Sequence, residues 1–254
     1  MATLFYAFLL IIFLNILGFC WGFFRQSDKL TDLIYSLSFF VVTAITFSYV
    51  QDFSFPKILL ASMVCLWAVR LGTYLFQRIH KIKKDARFDN MRPNFIRLLG
   101  FWILQTVSIC IIVSPVILFL GNDVSPSLST FQIIGFVLWF TGFVVETMAD
   151  YQKFTFKNNA KNEGKFMQSG LWQYSRHPNY LGEIFCWWGV FLFTSSSLVG
   201  WQWLGILSPI WIMVLLLFVS GIPLLEKSAD VRYGHLDEYQ TYKAKTGILL
   251  PRTI

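Results

Sequence analysis

The sequence predicts an all-α, polytopic membrane protein with about seven transmembrane helices, and three observations support this class. Hydrophobic residues make up 56% of the 254 residues and aromatic residues 19%, whereas charged residues reach only 14%. So few charges cannot cover the surface of a soluble protein of this size, so we expect the apolar surface to face lipid. Long apolar stretches alternate with short polar connections, and the basic residues are concentrated in a few of those connections.

The apolar stretches give the predicted helices. A helix needs about 20 mostly apolar residues to cross a bilayer. Seven stretches meet this condition, at residues 2–24, 30–50, 56–79, 98–120, 131–151, 180–199 and 203–224. Pro56 suits the first turn of the third helix, and Pro115 predicts a kink inside the fourth. The first stretch lacks the basic leader and cleavage site of a signal peptide, so we interpret it as a membrane helix.

The charges of the connections predict the orientation. Residues 77–97 carry seven Lys or Arg and residues 152–178 carry five, whereas residues 121–130 and 194–203 carry none. Because cytoplasmic loops carry an excess of Lys and Arg, both basic loops and the C-terminal tail are predicted in the cytoplasm, with the N-terminus outside. We find no internal repeat and no separate soluble part, so the chain is interpreted as a single membrane domain.

Several other classes are disfavoured. The four cysteines fall in four different apolar stretches without a C-x-x-C pair, which is typical of buried thiols rather than of disulfides or zinc ligands. The three histidines lie in separate segments without H-E-x-x-H spacing, so no metal site is predicted. The basic residues form no pattern typical of a nucleic-acid surface.

Acidic side chains at the ends of two predicted spans are the first candidates for function. Glu146 and Asp150 are four residues apart and share one helical face, and Asn179 and Glu183 repeat this spacing at the start of the sixth span. The alternative interpretation is that these acidic residues simply mark a helix end that emerges among lipid headgroups. Charges within a span are costly, however, and these carboxylates lie beside a basic loop. The combination suits a ligand that bears hydroxyls, amides and phosphates.

The polar stretch S-R-H-P-N-Y-L-G-E at residues 175–183 is the second candidate. Pro178 is a natural first-turn residue, and the helix N-terminus that it opens offers free N–H groups to a phosphate. Arg176 adds a bidentate phosphate donor. An isolated histidine here would be interpreted as a structural cap. Beside Arg176 and the helix N-terminus, a contact between His177 and a ligand is the better interpretation.

Two further features leave alternatives open. Arg70 lies inside the third predicted span with Tyr74 one turn further on, and it either has a function or snorkels to the interface. The tail between Pro223 and Pro251 interleaves tyrosines with cations. That pattern suits an amphipathic interfacial helix, and it equally suits a cover that closes over a bound nucleotide.

Three segments carry a resemblance to a known family: D-Y-Q-K-F-T-F-K at 150–157, G-L-W-Q-Y-S-R-H-P-N-Y-L-G-E at 170–183, and the tail at 226–251. They resemble a bacterial family of uncharacterised membrane proteins related to the steroid 5α-reductase C-terminal domain group. The resemblance covers residues 145–254, and the stretch at 85–92 extends it upstream. It implies a location in the bacterial inner membrane.

The resemblance also implies an NADPH-dependent reductase of an activated C=C bond in a lipophilic substrate, such as a steroid, another enone or a lipid. Residues 145–254 would form the cofactor-binding half, with no G-x-G-x-x-G and so no Rossmann mode. For a catalytic acid the sequence offers only Asp52 and Tyr74. The implied cofactor-binding residues are Asp150, Lys157, Tyr174, Arg176, His177, Asn179, Tyr180, Glu183, Arg232 and Tyr239.

Two other functions compete with the reductase. Membrane methyltransferases of the isoprenylcysteine carboxyl or phospholipid type use S-adenosylmethionine and share the R-H-P-x-Y-x-G core found here at residues 176–182. A nucleotide-binding membrane protein without catalysis is the other alternative. The complete N-Y-L-G-E at 179–183 and the run D-Y-Q-K at 150–153 favour the reductase.

Overall fold

The computed structural model describes residues 2–83, 85, 88–123 and 127–252. Within these ranges the regular structure is helical, apart from one isolated bridge between Ser175 and Gly247, which confirms the all-α class. The α-helices are α1 (Ala2–Arg25), α2 (Thr31–Val50), α3 (Phe55–Ile82), α4 (Phe95–Gly121), α5 (Thr130–Lys157), α6 (Pro178–Ser195), α7 (Leu207–Val214), α8 (Ile222–Tyr233) and α9 (Asp237–Lys245). Short 3₁₀ turns lie at Ala160–Asn162, Gly170–Gln173 and Gly200–Ile206, and a π turn lies at Leu215–Val219.

The described helices confirm a multi-pass membrane protein. Six segments are long and apolar enough to cross a membrane, namely α1 to α5 and the stretch Gly200–Tyr233. The count is six rather than about seven because the predicted span at 180–199 falls in α6, which has 18 residues and begins with the polar side chains of Asn179 and Glu183. At ~1.5 Å per residue such a helix is about 27 Å long, slightly less than a bilayer core. The predicted orientation stays a prediction.

Local sequence explains where several helices begin and end. The Asn94 side chain accepts a hydrogen bond from the Arg97 amide at 3.0 Å and caps α4. At the start of α5, the Ser129 hydroxyl and the Gln132 side chain each accept a hydrogen bond from the other's backbone N–H, as in a capping box. Pro115 lies inside α4, which continues to Gly121.

The chain divides into two compact units. The first comprises Met1–Gly135 with Val190–Ser208, and the second comprises Phe136–Gly189 with Pro209–Ile254. In the first unit α1 and α4 pack closely at Gly18, where any side chain would collide with the ring of Trp102. Gln105 donates a hydrogen bond to Asn15 at 2.9 Å, so the two helices also share a buried polar contact.

Ion pairs tie together the loops of the first unit. Arg92 pairs with Asp28 at 2.9 Å and with Asp89 at 2.7 Å, and Arg78 pairs with Asp32 at 3.0 Å. Both Arg92 and Asp28 are buried. This network connects the turn before α4 to the loop between α1 and α2. Part of the predicted basic loop therefore stabilises the fold.

Candidate functional site

The site begins at a close crossing of α5 and α6 in the second unit. A Cβ on Gly182 would lie 2.6 Å from the Glu146 amide nitrogen and 2.7 Å from the Gly142 carbonyl oxygen. Both distances are too short for a real side chain, so the two backbones touch because residues 142 and 182 are glycines. The glycine of the N-Y-L-G-E motif therefore has a packing role.

This crossing brings together the two polar faces that the sequence singled out. Asn179 donates a hydrogen bond to the Asp150 carboxylate at 3.2 Å. Asp150 is 4% exposed and Glu146 is 2% exposed, so this face of α5 is buried. The i,i+4 spacing therefore correctly predicted a shared face on each helix.

The turn that follows α5 folds back onto it. Gly170 has a φ of +64° and lies so close to Gln152 that a Cβ would be 2.6 Å from its Oε1 atom. That same oxygen accepts the Leu171 amide at 3.0 Å. Trp172 donates to the Ala149 carbonyl at 3.1 Å, and the ammonium group of Lys153 lies 4.2 Å from the centre of its ring.

The C-terminal segment fixes the backbone of the central motif. The amide of Arg176 donates to the Gly247 carbonyl at 2.9 Å, and the amide of His177 donates to the Ile248 carbonyl at 3.1 Å. The Ser175 hydroxyl also donates to Ile248 at 3.2 Å. A segment some 70 residues away in the chain thus holds the two residues in place.

This arrangement corrects one prediction. We expected the N-terminus of α6 to offer free N–H groups to a phosphate. The amides of Arg176 and His177 are bonded to the tail, those of Tyr180 and Leu181 are bonded to the His177 carbonyl, and Pro178 has no N–H. Among these turn residues, the Asn179 amide alone has no hydrogen bond within the described part of the chain. Binding of an anion here must therefore rely mainly on side chains.

Helix α8 supplies a carboxylate to the two motif residues. Glu226 pairs with the Arg176 guanidinium at 3.2 Å and accepts a hydrogen bond from His177 Nε2 at 2.8 Å. Since a carboxylate can only accept, His177 carries its proton on Nε2 when it is neutral. Burial lowers the pKa of His177 below its ordinary value of 6.5, and the nearby Lys153 charge acts in the same direction, whereas the hydrogen bond to Glu226 opposes the shift.

Helices α8 and α9 are joined by a second ionic contact. Lys243 lies 2.6 Å and 2.7 Å from the two Asp230 oxygens, and the Tyr239 hydroxyl donates to Asp230 at 3.0 Å. Burial and the Asp230 charge raise the pKa of Tyr239. Burial also raises the pKa of Tyr242 to about 12, and its hydroxyl donates to the Trp172 carbonyl at 2.6 Å. Both tyrosines therefore stay neutral near pH 7.

These elements enclose a cleft of about 160 Å³ within the second unit. Its aromatic walls include Trp172 from the turn and Phe166, whose ring contacts three tail tyrosines. Glu226 is the one carboxylate among the described lining residues, whereas five lining residues are cations: Lys153, Lys157, Lys165, Arg176 and Arg232. The cleft therefore attracts anions.

Two buried atoms of lining residues still lack a hydrogen-bond partner. Arg176 Nε and His177 Nδ1 have none within the described part of the chain. Buried polar groups are normally satisfied in native proteins, so such atoms call for an explanation. One donor and one acceptor at the same wall suit a polar ligand.

The structure separates the ten predicted cofactor-binding residues into groups. Five of them line the cleft: Lys157, Arg176, His177, Arg232 and Tyr239. Asp150 and Asn179 meet at the helix crossing, and Glu183 lies one turn beyond Asn179 on α6. Tyr180 stacks on His177 with ring centres 5.7 Å apart, and Tyr174 is 58% exposed and outside the lining.

The two catalytic candidates, Asp52 and Tyr74, lie in the first unit. Asp52 forms an ion pair with Lys57 at 2.6 Å, and that hydrogen bond lowers the pKa of the carboxyl group. A carboxyl held ionised by a lysine is a poor proton donor, so Asp52 is better explained as the partner of a buried cation. Tyr74 lies on α3 and is half-buried.

Sequence reasoning missed some of the cleft. Lys153 precedes Lys157 by one turn of α5, so their shared face was readable from spacing. Phe166 and Lys165 lie in an irregular loop without periodicity, and the sequence offered no signal for them. Glu226 was recognised only as part of the tail, because its partners are 49 and 50 residues away in the chain.

The fold and the cleft define a multi-pass helical membrane protein with a positively charged cleft. More specifically, the chain belongs to the family described as protein of unknown function (DUF1295), which matches residues 18–246. It is similar to "Uncharacterized protein C594.04c" of Schizosaccharomyces pombe, with 27% identity over 230 aligned positions. The match covers 76% of this chain and 63% of that protein. The chain thus spans less than two thirds of that relative's length. No solved structure matches the chain.

Proposed function

We propose that the protein is an NADPH-dependent reductase of an activated C=C bond in a lipophilic substrate. The charge of the cleft carries the proposal, since five cations and one carboxylate line it. NADPH brings several phosphate charges to such a site. S-adenosylmethionine has no phosphate and carries a sulfonium cation, so the same cleft disfavours it.

The lining residues also fit a nucleotide in chemical type. Lysine and arginine side chains suit phosphates, and aromatic walls suit a stacked base. A volume of about 160 Å³ is below the ~300 Å³ at which ligand pockets usually begin. The cleft therefore matches the phosphate-bearing part of a dinucleotide rather than the whole of it.

The chain's residues would contribute binding and electrostatics to the reaction. Arg176 and Lys157 would hold phosphate oxygens, and His177 Nδ1 would accept a hydrogen bond from a ligand hydroxyl or amide. The bound cofactor supplies a hydride for the alkene. A lipophilic substrate fits a chain with six membrane-crossing segments, and the resemblance to the steroid 5α-reductase group supports an enone.

The first experiment measures thermal stabilisation of the detergent-purified protein by NADPH, NADH and S-adenosylmethionine. A ligand that binds only the native state stabilises it by about 2.7 kcal/mol at 100 times its Kd. We expect stabilisation by NADPH, and a loss of about tenfold in affinity for Arg176→Ala, because a charge-assisted contact is removed. Arg25→Ala, an exposed cation of the first unit, is the matched control and should bind as the wild type does.

The outcomes separate the candidate functions. Stabilisation by S-adenosylmethionine alone would overturn the reductase in favour of a methyltransferase. If NADPH binds, its oxidation is followed against enones, sterols and unsaturated lipids. Tight NADPH binding without oxidation by any member of the panel would favour a nucleotide-binding protein without catalysis.

A further inference from the structure

Glu226 holds an unusual position among the cleft residues. Its two carboxylate oxygens contact three different donors: Arg176 at 3.2 Å, His177 at 2.8 Å and Lys243 at 3.6 Å. The side chain is 19% exposed and lies on α8, at the wall of the cleft. A carboxylate with three such neighbours has the surroundings of a bound anion.

The same donors are the ones that a ligand anion would need. A guanidinium prefers a carboxylate or a phosphate, and Arg176 has one such partner, Glu226, among the described residues. Its Nε atom remains buried without a partner, so Glu226 satisfies the guanidinium only in part. A phosphate has more acceptor oxygens than a carboxylate and carries about −1.5 to −2 charges near pH 7.

We propose that Glu226 is a resident counter-ion that occupies the anion seat formed by Arg176, His177 and Lys243, and that a phosphate group of the ligand displaces it. The identity of the ligand as a nucleotide rests on the proposed function, whereas the displacement requires only a phosphate anion. Glu226 thereby sets the affinity of the site and its preference for phosphates over carboxylates.

The contacts around Glu226 allow it to leave at low cost. Lys243 is closer to Asp230, at 2.6 Å, than to Glu226, at 3.6 Å, so it keeps a partner when Glu226 moves. The carboxylate is also near solvent, so it regains hydration when it is displaced. Loss of the Arg176 charge is not compensated in this way. The Glu226 carboxylate would then keep its hydrogen bond to His177 but lose its nearest full positive charge.

The test measures the affinity of two probes, inorganic pyrophosphate and NADPH, for the detergent-purified full chain. For Glu226→Gln we expect about tenfold tighter binding of pyrophosphate, because the competing charge is gone while the amide can still accept from His177. Glu238→Gln is the matched control, since it removes one negative charge from an exposed side chain of the neighbouring helix α9, away from the Arg176, His177 and Lys243 contacts described above. It should tighten binding by less than about threefold.

A second variant, Glu226→Asp, distinguishes the loss of the charge from a general folding defect. Glu226→Asp keeps the charge but withdraws the carboxylate from Arg176, so its affinity for pyrophosphate should lie between those of the wild type and Glu226→Gln. Weaker or unchanged pyrophosphate binding in both Glu226 variants would overturn the proposal that Glu226 is a displaceable counter-ion, even if NADPH binds well. Tighter pyrophosphate binding without any NADPH binding would instead keep the counter-ion and overturn the proposed function.

Discussion

Ionised side chains are used differently in the two units. In the first unit Arg92 pairs with Asp28 and Asp89 and donates to the Asp85 carbonyl at 2.6 Å, so charges close on one another between loops. In the second unit five cations and one carboxylate line a cleft, and Arg176 pairs with that carboxylate at 3.2 Å. The difference teaches that the cations of a basic connection can either pair with nearby carboxylates or gather around a cleft, and that their partners in the fold distinguish the two.

The largest effect on stability is expected at the buried Arg92–Asp28 ion pair of the first unit. Arg92→Ala removes the partner of the buried Asp28 and should lower the free energy of unfolding by about 3–5 kcal/mol, because an uncompensated charge remains buried. Thermal unfolding in detergent measures this loss, and the exposed Arg25→Ala serves as the control.

The affinity of the folded Arg92→Ala protein for NADPH should stay at the wild-type value, since the cleft residues belong to the second unit. If Arg92→Ala were as stable as the wild type but no longer bound NADPH, ligand binding would be assigned to the first unit instead of the second.

The helix crossing of the second unit gives the next effect. Gly182→Ala should cost about 1–3 kcal/mol, because its Cβ would lie 2.6 Å from the Glu146 amide nitrogen and the helices must separate. The matched control is Gly100→Ala in α4, where a Cβ meets nothing within 4 Å. That variant should be as stable as the wild type or more stable by up to about 1 kcal/mol, because alanine favours helix. Equal stability of both variants, measured by thermal unfolding, would show that the crossing is loose.

The smallest effect concerns pH and His177. Because the folded-state pKa of His177 lies below its ordinary value of 6.5, the unfolded chain binds a proton more readily. His177 therefore contributes stability that is fully present above about pH 6.5 and is lost as the pH falls through the folded-state pKa. We expect His177→Gln to flatten the dependence of the unfolding midpoint on pH below about pH 6.5. An identical dependence in the variant would assign the acid sensitivity to another group.

The sequence alone determined the class and the main elements of the protein. Apolar stretches of about 20 residues have few stable solutions other than membrane helices, because lipid offers no partner for an unpaired backbone. The helical spacing of Asp150 and of Asn179 also predicted their faces, since i,i+4 contacts are local. Half of the predicted cofactor-binding residues also line the cleft, but the family resemblance rather than local spacing predicted them, since they come from α5, the central motif and the tail.

Tertiary structure alone decided how those faces are used. The Glu226 carboxylate reaches His177 across 49 residues, and Ile248 reaches Ser175 across 73. No local periodicity encodes such pairings, because they depend on where α8 and the tail return after the π turn. For that reason the sequence expected free amides at the start of α6, whereas the folded chain bonds most of them to the tail and to His177. For the proposed anion, the folded chain therefore offers mainly side chains.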